Sequence, residues 1–220
     1  MMIEFDSTAW LAGLASLVLM LAVLRPRGRY YLFFFSIFWV YLLALVSVTV
    51  FPIPVGMDGG LRPESVWQQI NHMSRLNVLN LTPLYFNNCW EMPSLCAAGI
   101  YQNILMTVPF GFGINFIARL KIRDIAWLAF GLGLSIETTQ FALDLLLGRA
   151  YRSVDANDVL FNGLGVWLGY GLFLLFAWLF LTVTRRLEVK PTGLLAYLRA
   201  VTQPGTSGPA RASVIKGTAP

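Results

Sequence analysis

Polar residues at helical spacing inside apolar sequence are where this chain could do chemistry. Gly133, Glu137, Gln140 and Asp144 stand at i, i+4, i+7 and i+11, and Asp158, Asn162, Gly165 and Gly169 repeat the same spacing. Each set makes one face of a helix. Asn103, Thr107 and Gly111 follow at four-residue steps, and the segment between the two sets carries Arg149, Arg152, Asp155, Asn157 and Asp158. Carboxyls in dehydrated surroundings suit general acid–base work, and an arginine beside them suits a phosphate or carboxylate. Asn103, Glu137, Gln140, Asp144, Arg152, Asp155, Asp158 and Asn162 are therefore the expected ligand-binding set. Glu137, Asp155 and Asp158 are the candidates for catalysis if there is any. Taken singly, Asn103, Gln140 and Asn162 also suit interhelical hydrogen bonding with no ligand. The sequence holds no nucleophile–base constellation, no H-E-x-x-H, no phosphate-binding glycine loop and no clustered Cys/His set. No cofactor and no metal are expected, although Asp144, Asp155 and Asp158 carry oxygens of the kind hard cations take. His72, the single histidine, reads as a surface residue.

The elements that must position these residues follow from composition. The 220 residues are 57% hydrophobic and 12% charged, with mean hydropathy +0.65, whereas a soluble domain is about 25% charged. A disordered chain, a coiled coil, a disulfide-stapled miniprotein and an ordinary soluble enzyme are excluded. An all-α, polytopic membrane helical bundle remains. A span needs about 20 apolar residues, and about five stretches qualify: Thr8–Leu24, Tyr30–Phe51, Ala98–Ala118, Ile125–Leu147 and Asp158–Thr184. The first has acids at its head and arginines at its tail, the reverse of a cleaved signal, and reads as a retained helix. Twelve of the sixteen Lys and Arg fall after spans one, three and five. The positive-inside rule then places the N-terminus outside and the C-terminus in the cytoplasm. The organisation expected is two helices over 1–51, an outer loop over 52–97, a three-helix core over 98–184, and a cytoplasmic, mostly disordered tail over 185–220. Membrane lipids are the expected partners, with no nucleic acid.

In the outer loop, Pro63 suits a helix start, and Trp67, Ile70, Met73 and Leu76 follow at about one-turn spacing. That predicts a short helix, either on the outer membrane surface or packed on the bundle. Cys89 and Cys96 share this loop and are either bridged or free. Asn80-Leu81-Thr82 matches a glycosylation sequon that the following Pro83 disfavours. Leu194, Leu198 and Val201 predict a short amphipathic helix after the last span. If spans four and five form a simple hairpin, Asp144 is level with Asp158, Gln140 with Asn162, Glu137 with Gly165 and Gly133 with Gly169. Arg152 is then expected to fold over the hairpin mouth onto Asp144, Asp155 or Asp158.

Several of these segments resemble a known family. Asn103-Ile-Leu-Met-Thr-Val-Pro109-Phe-Gly111 is similar to the N-x-x-x-F-x-P-x-G segment of VanZ-like membrane proteins. Ser135-Ile-Glu137-Thr-Thr-Gln140 resembles their S-x-E-x-x-Q helix. Arg152-Ser-Val-Asp155-Ala-Asn-Asp158, followed by Asn162 and Gly165, resembles R-x-x-D-x-x-D-x-x-x-N-x-x-G, and Asn80-Leu-Thr-Pro83-Leu resembles N-L-x-P-F. The matched motifs run from about Asn80 to Gly169. Thr107 and Leu84 stand where the family usually has Phe. The resemblance implies a multi-pass protein of the bacterial cytoplasmic membrane, in a family named for an association with resistance to the glycopeptide teicoplanin. Three functions fit such a chain. The first is an outward-facing polar cluster that binds a lipid, a lipid-linked cell-wall precursor or an envelope protein. The second is an intramembrane acid–base enzyme on a lipid-linked substrate, and the third a proton-coupled transporter.

Overall fold

A computed structural model describes residues 2–55, 66–76, 78–86, 89–90, 92–118, 120–148 and 150–203. Pro63 and the end of the tail lie outside them. The described helices are α1 (Ser7–Leu24), α2 (Arg29–Val50), α3 (Val66–Arg75), α4 (Pro93–Ile117), α5 (Ile122–Leu147), α6 (Ala156–Arg186) and α7 (Gly193–Thr202). Two small ladders join distant segments. β1 (Met2–Ile3) pairs antiparallel with β2 (Ile53–Pro54), and β3 (Leu79–Asn80) pairs parallel with β4 (Val154–Asp155).

The chain is an all-α membrane bundle. Four helices, Ser7–Arg27, Arg29–Val50, Pro93–Ile117 and Ala156–Arg186, are long and apolar enough to cross a membrane. The 26-residue α5 has the length but carries Glu137, Gln140 and Asp144, and is not among the four. Polarity is distributed as a lipid solvent requires. Leu11, Val18, Leu19 and Val23 of α1 and Leu160, Leu164, Leu168 and Leu172 of α6 are exposed, while Thr107, Asp144 and Asn162 are buried. In lipid an apolar surface gains nothing further from being buried against another helix, so the bundle interior is free to hold small and polar residues.

α6 is the central element and packs most extensively on α4, then on α5; α2 lies on α4, and α1 chiefly on α2. A cluster of Phe38, Phe110, Ile125, Ala129 and Val166 fills the middle. At the end where α7 docks, Phe34 stacks on Phe116 and Tyr197. The Tyr197 hydroxyl donates to the Phe116 carbonyl at 2.6 Å. The expected amphipathic helix is therefore fastened to the bundle by a buried aromatic.

The hairpin of α5 and α6 departs from the simple register. Asp155 N–H donates to Glu137 Oε2 at 3.0 Å, a Cβ on Gly133 would meet Val159, and one on Gly163 would meet Ala129. Glu137 is thus level with Asp155 instead of Gly165, and Gly133 with Val159 instead of Gly169, a shift of about ten residues or about 15 Å. The cause is the connecting segment. After Gly148 closes α5 in the left-handed conformation, the chain descends along the last turns of α5, with Tyr151 N–H donating to Asp144 Oδ1 at 3.0 Å. α6 begins only where Asp155 meets Glu137. Gly165 and Gly169 accordingly face α4, not α5. A Cβ at Gly165 would strike Ile104 and Thr107, and one at Gly169 would strike Val108 and Phe112. The near-constant offset shows α4 and α6 running parallel, with backbones touching where both residues are small.

Candidate functional site

Asp155 organises the start of α6. Its carboxylate caps the helix, accepting from Asn157 N–H at 2.8 Å, and accepts from Asn80 Nδ2 at 2.9 Å. Capping satisfies an otherwise orphan donor at the helix start, where the helix dipole also favours negative charge. Burial pushes the Asp155 carboxyl up from its ordinary value, against the pull of its bonds from Asn157 and Asn80. Glu137, buried behind it, holds Asp155 through the main chain. Asp158, one turn into α6, interacts with both Asp155 and the side chain of Asn103. Glu137, Asp155, Asp158 and Asn103 therefore form one cluster around the first turn of α6, with Glu137 beside Asp155 where the simple hairpin sets it level with Gly165.

The rest of the expected set is spent on architecture. Asp144 Oδ1 accepts from the backbone N–H groups of Tyr151 and Arg152, at 3.0 and 3.3 Å. Gln140 Nε2 donates to the Thr49 carbonyl at 2.9 Å. The Arg152 guanidinium does not close over the carboxylates. It donates to the carbonyls of Val48, at 3.3 Å, and Phe51, at 2.7 Å, and the Tyr151 hydroxyl donates to the carbonyl of Val50. These carbonyls belong to the unpaired last turn of α2, and cationic donors are favourable at such an end. Arg152→Ala should therefore free the end of α2 and lower stability by about 1–2 kcal/mol, read as a lower melting temperature in detergent. Asn162 is 0% exposed, its carbonyl accepts from Thr107 Oγ1 at 2.8 Å, and neither amide atom of its side chain has a partner.

In front of the cluster is a cavity of about 360 Å³, within the size range of small-molecule pockets. Its polar wall is Asn80, Ser153, Asp155, Asn157 and Asp158. Tyr85, Phe86, Ile100 and Phe161 supply apolar surface, with Gly99 of α4 between. Cys89 and Cys96 also face it and are joined by a disulfide, Cα to Cα 5.3 Å. Asn157 holds the segment before α4 in place: its Oδ1 accepts from Leu84 N–H at 2.6 Å and its Nδ2 donates to the Tyr85 carbonyl at 2.9 Å. Asn80 is committed to Asp155 and to the Tyr85 carbonyl, so its amide nitrogen is engaged in the fold. Asn80, Ser153 and Asn157 are the cavity residues absent from the expected set. The β3–β4 ladder brings Asn80 there, and two-residue strands leave no periodicity to read.

Helix α3 buries Met73 and leaves Trp67 73% exposed, so one face packs on the protein and the tryptophan is exposed. His72 is exposed on it, beside Gln68, Asn71 and Arg75. Among the described residues no group of three or more His, Cys, Asp or Glu is placed to hold a metal ion.

The VanZ/LLP1 family model matches residues 38–177. The match starts inside α2, earlier than the motifs at Asn80 indicate, and takes in the helix end that Gln140, Tyr151 and Arg152 grip. No curated protein and no solved structure matches the chain.

Proposed function

Because the chain belongs to the VanZ/LLP1 family, we infer that it is a multi-pass protein of the bacterial cytoplasmic membrane which binds a lipid or cell-wall-related ligand in the cavity before α6. The reading takes α5 as a fifth span, its polar face covered by the descending segment and by α2, with the N-terminus outside. The cavity then opens on the outer side. The observation that carries the reading is the cavity itself, with the carboxylates of Asp155 and Asp158 on one wall and aromatic rings on another. Asp155, Asp158, Asn80 and Asn157 contact the ligand. Asn103 and Glu137 position the two aspartates, while Asp144, Gln140 and Arg152 hold the frame. Occupancy of such a site by an envelope component is a route by which the chain would alter access of glycopeptides such as teicoplanin to the cell surface.

Gly99 supplies the test. A Cβ there meets nothing within 4 Å and Gly99 lines the cavity, so Gly99→Phe starts a bulky side chain at the cavity wall without a clash at Cβ. Wild-type protein purified from native membranes should carry a co-purifying lipid by native mass spectrometry, and Gly99→Phe should lose it while melting normally. Equal retention by the variant overturns the reading. Appearance of a covalently altered lipid that depends on Asp158 would favour acid–base catalysis by the same carboxylates.

A further inference from the structure

The charged side chains among the described residues of the cavity lining are both carboxyls, Asp155 and Asp158, and this limits what can enter it. Among the described residues its lining contains no Lys, Arg or His. The nearby arginine, Arg152, is spent on the carbonyls of Val48 and Phe51. Two of the N–H groups at the helix start are also used: Asp155 N–H goes to Glu137 and Asn157 N–H to the Asp155 carboxylate. The Asn80 and Asn157 amide nitrogens are held by Tyr85 and Asp155. The Asp155 and Asp158 carboxylates remain, facing the space, with Tyr85, Phe86 and Phe161 beside them. A further polar residue lies deeper along α6, outside the cavity lining. Asn162, one turn on from Asp158, is wholly buried with both amide atoms unpartnered, a costly state for a buried polar group.

We propose that the cavity recognises a hydrogen-bond-donating headgroup rich in hydroxyls, such as a sugar on a lipid, and rejects a phosphate or carboxylate group. This rests on the reading of the cavity as a ligand site. A hydroxylated ring supplies donors to Asp155 and Asp158 and an apolar face to the aromatic side chains. An anion would be desolvated beside two carboxyls with no compensating cation, and that uncompensated cost is the discriminating element. The outer rim suits an amphiphile more than a free sugar, because Trp90 is 88% and Leu95 64% exposed next to the bridged cysteines, a placement typical of interfacial side chains.

The full chain in a polyoxyethylene detergent, which has no sugar of its own, is titrated with dioleoyl glucosyl-glycerol and with dioleoyl phosphatidic acid. Native mass spectrometry reads occupancy. The expected result is a preference of about tenfold or more for the glucosyl lipid, abolished in Gly99→Phe and reduced in Asp158→Asn, which keeps the shape of the side chain but removes one charge. Methyl glucoside should compete only weakly; full competition at equal concentration would make the free sugar the ligand and overturn the lipid assignment. Phosphatidic acid bound as tightly, and lost in Gly99→Phe, overturns the headgroup inference and leaves the cavity reading standing. Binding of neither lipid, or binding indifferent to Gly99→Phe, overturns both. An unchanged preference in Asp158→Asn overturns the acceptor role of that carboxylate whether or not Gly99→Phe folds.

Discussion

Gly169→Val should be the most damaging single substitution in the helical core, costing about 4 kcal/mol or more and leaving little folded protein to purify. The added Cβ would lie 2.7 Å from Phe112 N and 3.0 Å from Gly111 Cα, and closer still to the Val108 carbonyl oxygen. All of these are backbone atoms, so no side chain can swing aside. Gly165 meets Ile104 and Thr107 in the same way, and Gly111 meets Val166 from the other side. The two parallel helices would have to separate along three contacts at once. Separation would also break the 2.8 Å bond from Thr107 Oγ1 to the Asn162 carbonyl and shift Asn103 away from Asp158. Gly171, two residues on, is the control. A Cβ there meets nothing within 4 Å, and Gly171→Ala should be neutral or stabilising by about 0.5–1 kcal/mol through helix propensity. Melting in detergent with intrinsic tryptophan fluorescence separates the two. Equal melting of Gly169→Val and wild type would mean that α4 and α6 do not pack through these residues.

That contact shows what the sequence makes legible. Apolar runs are read directly because lipid demands them, and polar residues at i, i+4 and i+7 are read as faces because a helix has one period. Which neighbour a face meets is a separate matter. The spacing of Gly165 and Gly169 does not distinguish α5 from α4, and the simple hairpin fails because the chain over 151–155 runs back along α5 before α6 begins. Its course is fixed by Asp144 and Glu137 accepting main-chain N–H groups, and a carboxylate's partner is invisible when it is backbone. Arg152 is the converse case. Among so many acids an ion pair is the natural expectation, yet the unpaired carbonyls ending α2 stand within its reach. Asp155 and Asp158 are legible as a pair at the mouth of α6 in either register, but Glu137 joins them only in the observed one, because the simple hairpin sets it level with Gly165. The wall made by Asn80 and Asn157 is not legible, because asparagines flanking a helix start and a proline look like turn residues. The signal that could have found Asn80 is its place in the same ordered motif set as Asp155.

Glu137 separates architecture from chemistry. Its carboxylate accepts the Asp155 N–H at 3.0 Å from a position 6% exposed. Glu137→Leu removes that acceptor and leaves a main-chain donor unpaired beside an apolar side chain, a loss of about 2–3 kcal/mol for a bond to a carboxylate. The damage should be local first. β4 loses its anchor, its pairing with β3 loosens, and Asn80 leaves Asp155, so amide exchange at Asp155 and Asn157 should accelerate before the bundle melts. Glu137→Gln keeps an acceptor oxygen in the same place and should fold within about 1 kcal/mol of wild type. The two substitutions then divide the readings. If Glu137 only positions Asp155, the Gln variant retains lipid in the cavity and complements a deletion strain while the Leu variant does neither. If Glu137 itself moves a proton in the chain's function, the Gln variant folds, keeps its lipid and still fails to complement. Normal amide exchange at Asp155 in Glu137→Leu would show that the start of α6 is held by something other than this bond, and the positioning role would fall with it.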